Sequence, residues 1–245
     1  MLLISHRMIT RTIAATIGAL TTVGLFALVL PTTVTPRSYA ASTACLDGGD
    51  YGTVGMTQVD AAAVTSRGTR SSVRVISPST TDCQHVASVY IDNGRGGFEF
   101  GYVIGYSQCP GYTNHFYIHP HRFWWAYKSN GALVGCRVFA GNLPEASYQT
   151  FRASDTDADY YWGAWYNGSN LTPNGVPLDF HEGVNVAAME RATSSDPGYA
   201  RFNALSEYHD GNAWSVWDDL SSAGDNDPDY HLRKINPHTG VIEHD

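Results

Sequence analysis

GFEFGYVI, residues 97–104, is the stretch that decides the fold of this chain. Large apolar side chains occupy its even-numbered positions, which is the period of a β-strand that buries one face. The other face carries Glu99 between Gly97 and Gly101. The pattern predicts a strand with one face in a core, while the second face holds a carboxylate on bare backbone that a ligand chain can approach closely.

Similar short runs rich in β-branched and aromatic residues follow along the chain, separated by turn sequences such as Asp92-Asn93-Gly94 and Asn167-Gly168. No run has the apolar stripe of a helix of three turns. The pattern therefore predicts one all-β domain, an antiparallel β-sandwich or jelly roll. The predicted strands cover residues 86–92, 98–106, 115–118, 122–128, 133–140, 147–152, 160–166, 184–191, 200–208 and 213–217.

Residues 1–40 have the layout of a secretory signal peptide. Two arginines precede an apolar run from Ile13 to Leu30, and small residues precede a cleavage point between Ala40 and Ala41. A retained membrane anchor is the alternative, but threonines and glycines interrupt the apolar run. We expect a secreted protein with an N-terminal arm at 41–70 and a β-sandwich domain at 71–245. No membrane contact is expected after signal cleavage.

The charge balance narrows the choice of partners. Residues 1–40 contain three arginines and no acidic residue, so the mature chain has 12 basic and 23 acidic residues, a formal charge of −11. Such a chain repels the phosphates of nucleic acids and anionic membrane surfaces. An extracellular polypeptide or polysaccharide is the expected partner, and the chain is expected to be a monomer.

Four cysteines in an exported chain predict two disulfides. Three pairings are open, and Cys45–Cys83 with Cys109–Cys136 is the favoured one. No Cys-x-x-Cys spacing indicates zinc.

Neither a metal nor another cofactor is predicted. Aspartates recur in two loops, where a structural calcium ion is the alternative to solvated loops. Histidines around Pro120 give a zinc site as a further alternative. The residues concerned are Asp155, Asp157 and Asp159, then Asp225, Asp227 and Asp229, and His115, His119 and His121.

Glu190 is the second candidate carboxylate. In the run 184–191 it shares a strand face with Val184, Val186 and Ala188. A carboxylate at the end of an apolar face is partly desolvated, which suits it to proton transfer. The alternative is that neither glutamate is catalytic. Glu99 would then face solvent, and Glu190 would pair with a surface arginine.

Several segments resemble the secreted glutamic peptidases of the eqolisin type and their neprosin-like relatives. They are Val89-Tyr90-Ile91-Asp92, Phe98-Glu99-Phe100-Gly101, the aromatic run 123–127, and Ala188-Met189-Glu190-Arg191. The resemblance covers about residues 71–217 and implies a concanavalin-like β-sandwich that hydrolyses peptide bonds. By this resemblance Glu190 is the general base, and Glu99 stands where eqolisins have glutamine. A pair of glutamates is the arrangement of the neprosin-like relatives.

Aromatic residues offer a second class of function. Trp125 and Tyr127 share one strand face, and Trp162 and Tyr166 share another. Exposed rings on a strand stack on sugars or grip extended peptides, whereas buried ones fill a core. We predict these four as substrate-binding residues of the hydrolase. Alternatively, they serve a non-catalytic module that binds extracellular carbohydrate or the cell wall.

Overall fold

The computed structural model describes residues 52–58, 66–76, 84–107, 109, 115–191, 199–209, 213–223 and 230–244. The expected signal peptide lies outside these residues. Strands and turns make up the described part, which contains no helix and hence none that is long and apolar enough to cross a membrane. The strands are β1 (Gly52–Gln58), β2 (Gly68–Arg74), β3 (Gln84–Asp92), β4 (Gly97–Ser107), β5 (His115–Tyr127), β6 (Leu133–Asn142), β7 (Tyr148–Ser154), β8 (Tyr161–Tyr166), β9 (Ser169–Asn170), β10 (Val176–Pro177), β11 (Val184–Arg191), β12 (Ala200–His209), β13 (Ala213–Val216), β14 (Leu220–Ala223), β15 (Tyr230–Asn236) and β16 (Thr239–His244).

These strands form two antiparallel sheets that pack face to face. Sheet A has the order β14-β1-β11-β3-β4-β5-β6. Sheet B has the order β10-β8-β7-β2-β12-β16-β15, with β13 beside β12 and β9 beside β8. The predicted antiparallel β-sandwich is confirmed.

The even-numbered face of β4 lies in the core between the sheets, as predicted. Phe98 and Phe100 are fully buried, and Phe100 meets Phe151 of sheet B edge-on with ring centroids 5.2 Å apart. Burying an aromatic side chain of this size contributes about 1.5–3 kcal/mol. This burial fixes the orientation of β4 and turns Glu99 to the outer face of sheet A.

The two ends of the chain contribute more strands than their patterns predict. The stretch 41–70, expected to form an arm, supplies β1, which lies between β11 and β14 within sheet A. The C-terminal stretch supplies β14 to sheet A and the hairpin of β15 and β16 to sheet B, all beyond the last predicted strand at 213–217. Apolar and polar residues alternate only weakly in these segments, so their own pattern does not predict strands. Pairing with neighbouring strands holds them in place.

One strand replaces two predicted ones at Pro120. β5 runs from His115 to Tyr127, and its pairing with β4 shifts register between Val103 and Gly105, opposite Pro120. Proline cannot donate to the strand ladder, and a bulge is one of the few places where a sheet accepts it. The prediction of a break there was therefore wrong.

Asp155 is a buried structural acceptor in the turn before β8. Its side chain is completely enclosed, and its carboxylate accepts hydrogen bonds from the backbone N–H of Asp159 at 3.2 Å and of Tyr160 at 3.0 Å. Burial raises the pKa of Asp155, the two backbone donors lower it, and the nearby charge of Asp159 raises it. The net direction is upward, so folding disfavours the charged form of Asp155 relative to the unfolded chain.

Replacing Asp155 with asparagine should alter how stability depends on pH. A carboxyl group whose pKa is higher in the folded than in the unfolded state binds more protons when folded, so its contribution to stability falls as pH rises above the usual value of 3.8. Asp155→Asn lacks this cost, so its free energy of unfolding should increase relative to that of the wild type between about pH 4 and pH 7. Urea denaturation across that range measures the free energies of unfolding of the two proteins. A difference between them that does not change with pH would contradict the argument.

Candidate active site

Glu99 is a buried carboxyl group on the outer face of sheet A. Its register partners are Tyr90 on β3 and Trp125 on β5. Only 8% of Glu99 is exposed, and the hydroxyl of Ser88 donates a hydrogen bond to its Oε1 at 2.6 Å. The alternative of a solvent-facing Glu99 is therefore wrong.

Ser88 is the contact residue that the sequence analysis missed. It is fully buried and pairs in register with Gly101, one pleat along the strands from the row of Tyr90 and Glu99. Its strand was predicted, but the contact with Glu99 follows only from the register between β3 and β4. A small polar residue at an alternate position between Val86 and Tyr90 is the one signal that the sequence offers.

The glycines beside Glu99 serve the sheet rather than a ligand. A Cβ atom on Gly101 would lie 2.2 Å from the carbonyl oxygen of Ala87 and 2.6 Å from the Cα of Ser88. On Gly97 it would lie 2.9 Å from the carbonyl oxygen of Ile91. The backbone of β3 thus occupies the space that was predicted for a ligand chain, and that interpretation is wrong. The same close approach places Ser88 beside Glu99.

Glu190 lies two strands from Glu99 in the same sheet, and the structure describes its backbone. It pairs with Thr53 on β1 and with Val86 on β3. Val86 is four residues from Tyr90, so the two glutamate positions are about 13 Å apart along the strands and about 10 Å apart across them in a flat sheet. The even offset gives both positions the same phase in the pleat. The two glutamate positions therefore lie on the strands that flank β3.

Trp125 and Tyr127 lie on the outer face of sheet A with Glu99. Their rings are stacked with centroids 5.9 Å apart, and they are 4% and 9% exposed. They pack with Val86, Val103 and Phe123 in a second apolar cluster. The indole Nε1 of Trp125 has no acceptor among the described residues. Both residues are thus near Glu99, but neither forms an open stacking platform.

Trp162 and Tyr166 lie elsewhere, on the inner face of sheet B. Trp162 is fully buried and donates from its indole N–H to the carbonyl oxygen of Phe180 at 2.9 Å. Tyr166 packs against the main core and donates to Oε1 of Gln149 at 2.5 Å. The prediction that these two bind substrate is wrong, because the even-numbered residues of β8 face the core.

A disulfide joins Cys109 to Cys136 with the Cα atoms 5.5 Å apart, which confirms one predicted pairing. Cys136 is the register partner of Trp125, and Cys109 packs in the same apolar cluster. The link therefore ties the chain that follows β4 to the outer face of sheet A. The predicted Cys45–Cys83 pair lies outside the described residues.

The described part of the chain holds no group of three histidine, cysteine, aspartate or glutamate side chains placed to bind a metal ion. His119 contacts Glu145 at 3.3 Å, and Nδ1 of His121 lies 3.0 Å from the carbonyl oxygen of Phe139. Asp155 supports a turn. Asp225, Asp227 and Asp229 lie outside the described residues.

Sequence comparison finds no matching protein family and no matching curated protein. Structural comparison finds scytalido-glutamic peptidase with a transition state analog inhibitor, at a TM-score of 0.52 and 13% identity, over 80% of this chain and 98% of that one. The same peptidase with a peptide-based transition state analog gives 0.49 at 14% identity, with the same coverage. SCP-B, a member of the eqolisin family of peptidases in complex with the tripeptide Ala-Ile-His, gives 0.49 at 13% identity, again with that coverage. At these identities the comparison shows the fold alone. The chain has the β-sandwich fold of a glutamic peptidase.

Proposed function

We propose that this chain is a secreted hydrolase that cleaves polypeptides with Glu99 and Glu190 as its paired carboxyl groups. One observation carries the proposal. The two glutamates singled out in the sequence lie on one sheet, on the strands that flank β3, and Glu99 is buried and hydrogen-bonded by Ser88. The fold shared with a solved glutamic peptidase supports it.

The reaction divides two roles between the glutamates. Glu190, as carboxylate, accepts a proton from a water molecule, and the water oxygen attacks the peptide carbonyl carbon. The C–N bond then breaks, and Glu190 passes its proton to the departing amine nitrogen. Glu99, as carboxylic acid, donates a hydrogen bond to the oxyanion that develops. Because Ser88 already donates to Oε1 of Glu99, the proton of the acid belongs on Oε2. Since one carboxyl group must be neutral and the other charged, we expect activity at acidic pH.

A peptide bound across β3 would lie between the two glutamate positions. A water molecule and a carbonyl group must fit between the carboxyl groups, so the side chains need to lean toward each other without direct contact.

Denatured casein tests the proposal. The purified mature protein, incubated with casein between about pH 3 and pH 7, should release peptides that mass spectrometry detects, with most product at the acidic end. A variant purified in the same way with both Glu99 and Glu190 replaced by alanine should release none. Glu145→Gln is the matched control, because Glu145 is exposed and contacts His119. Absence of peptides from the wild type at every pH would refute the proposal.

The predicted aromatic residues do not support the alternative of a carbohydrate-binding module. Trp162 is in the core and Trp125 is 4% exposed. Neither ring offers a face to a sugar in solution.

A further inference from the structure

A row of alternating aromatic rings and guanidinium groups crosses the outer face of sheet B. The guanidinium carbon of Arg152 lies 4.6 Å from the ring centroid of Trp165 and 5.0 Å from that of Trp214. The guanidinium carbon of Arg70 lies 4.5 Å from the centroid of Trp214. We call Trp165, Arg152, Trp214 and Arg70 the arginine ladder. The proposed active site lies on the other sheet and uses none of these residues.

The two arginines of the ladder stand directly opposite each other. Arg70 on β2 is the register partner of Arg152 on β7. Like charges at directly opposed positions of neighbouring strands repel. Burial lowers the pKa of Arg70, and burial together with the charge of Arg70 lowers that of Arg152, while Asp157 offsets part of this. Two cations thus lie close together at an energetic cost, although the chain as a whole has a net charge of −8.

No described carboxylate forms an ion pair with either arginine within 4 Å. Arg152 donates from Nε to the hydroxyl of Ser154 at 2.8 Å. Stacking on tryptophan uses the flat face of a guanidinium group, and its N–H edges remain suited to the two oxygens of a carboxylate. A bound anion would therefore relieve the repulsion between the two arginines.

A cavity of about 330 Å³ adjoins the ladder at Trp165. Its aromatic walls, Tyr161 and Trp165, lie on the outer face of β8 on either side of Gly163. A Cβ atom on Gly163 would lie 2.7 Å from Nε1 of Trp165, so the floor between the rings has to be bare backbone. The polar lining includes Asp157, Asp159, Asn170 and Asn174.

Hydrogen bonds hold both turns that wall the cavity. Asp155 fixes the turn that carries Asp157 and Asp159. On the opposite side, Asn170 accepts from the backbone N–H of Thr172 at 2.8 Å, and the N–H of Gly175 donates to the carbonyl oxygen of Thr172 at 2.8 Å. A cavity formed before its ligand arrives has less ordering cost to offset on binding.

We propose that the cavity and the arginine ladder together bind an acidic oligosaccharide, a chain of sugars that carries carboxylates in the manner of a uronic acid polymer. A sugar ring lies against Tyr161 and Trp165 in the cavity, and its hydroxyl groups donate to Asp157 and Asp159. The carboxylate of the neighbouring sugar binds the N–H edges of Arg152 and Arg70. Polyphosphates and acidic peptides fit less well, because neither offers a hydroxylated ring to lie against Tyr161 and Trp165.

Titration of the full-length mature protein with oligogalacturonate tests this, with tryptophan fluorescence and calorimetry as readouts. Arg152→Gln and Asp159→Asn should each weaken binding at least about tenfold. Arg233→Gln should bind like the wild type, because Arg233 pairs with Glu243 on the distant strands β15 and β16. A neutral glucose oligomer of equal length should bind at least about tenfold more weakly than oligogalacturonate, and added salt should weaken the binding of the acidic ligand.

Four results would overturn the proposal: no binding of oligogalacturonate, equal binding of the neutral oligomer, equal losses in Arg152→Gln and Arg233→Gln, or tighter binding of inorganic polyphosphate. Circular dichroism and the urea midpoint of each variant identify loss of folding. Should Arg152→Gln fail to fold, Asp159→Asn alone decides, since Asp159 is exposed. The readout needs no proteolysis, so its failure leaves the proposed peptidase activity untouched.

Discussion

Glu190→Gln should lower the rate of peptide hydrolysis at least about 100-fold, while Glu99→Gln should retain much of the activity. Glutamine at 190 cannot accept a proton from water, so the general base is lost. Glutamine at 99 can accept from Ser88 at Oε1, as Glu99 does, and its Nε2 then supplies a donor to the oxyanion. That donor needs no acidic pH. The Glu99→Gln variant should therefore stay active at higher pH than the wild type.

The measurement is kcat/KM on a quenched fluorescent peptide from about pH 3 to pH 7, for the wild type and both variants. Glu145→Gln again serves as the control for a surface change. The assignment of roles fails if Glu190→Gln stays active while Glu99→Gln is inactive. Undiminished activity in both variants would remove the pair from the mechanism altogether.

The second large effect is expected from Gly101→Ala, which should destabilise the protein by about 3 kcal/mol or more. The added Cβ would lie 2.2 Å from the carbonyl oxygen of Ala87, and a backbone atom cannot swing aside as a side chain can. β3 and β4 would have to separate at the centre of sheet A. The hydrogen bond between Ser88 and Glu99 would be lost with that movement, so we expect activity to fall with stability.

Urea denaturation of Gly101→Ala and Gly135→Ala gives the comparison. Gly135 lies on β6 of the same sheet, and its added Cβ would meet only the ring of Trp124, at 3.3 Å from Cη2. A side-chain ring can shift by that small amount, so the control should lose little stability. Equal midpoints for the two variants would show that the contact between β3 and β4 is not as close as described.

Periodicity predicts the face of a strand only when its two faces differ. In β4 the even positions are large and apolar and the odd ones include three glycines, so the core face was predicted correctly. β8 carries aromatic residues on both faces, with Trp162 in the core and Trp165 outside. Its own pattern leaves the phase open, and packing against the other sheet decides it.

Side-chain contacts between strands could not be predicted from the sequence for a related reason. The predicted turns and strand limits place β3 next to β4, but a shift of one residue in register would remove Ser88 from Glu99. The outer face of sheet B depends in the same way on pairing between β2 and β7, which lie far apart in sequence. Neighbours of this kind come from the topology of the sandwich.

The position of β1 limits how far the amino terminus can be trimmed. Gly52–Gln58 covers the side of β11, the strand that carries Glu190, and β14 closes the sheet beyond it. A protease that cut after Gln58 would leave the N–H and C=O groups of β11 unpaired, and an open edge of this kind recruits strands from other molecules. Any amino-terminal trimming that preserves a soluble product must therefore stop short of residue 52.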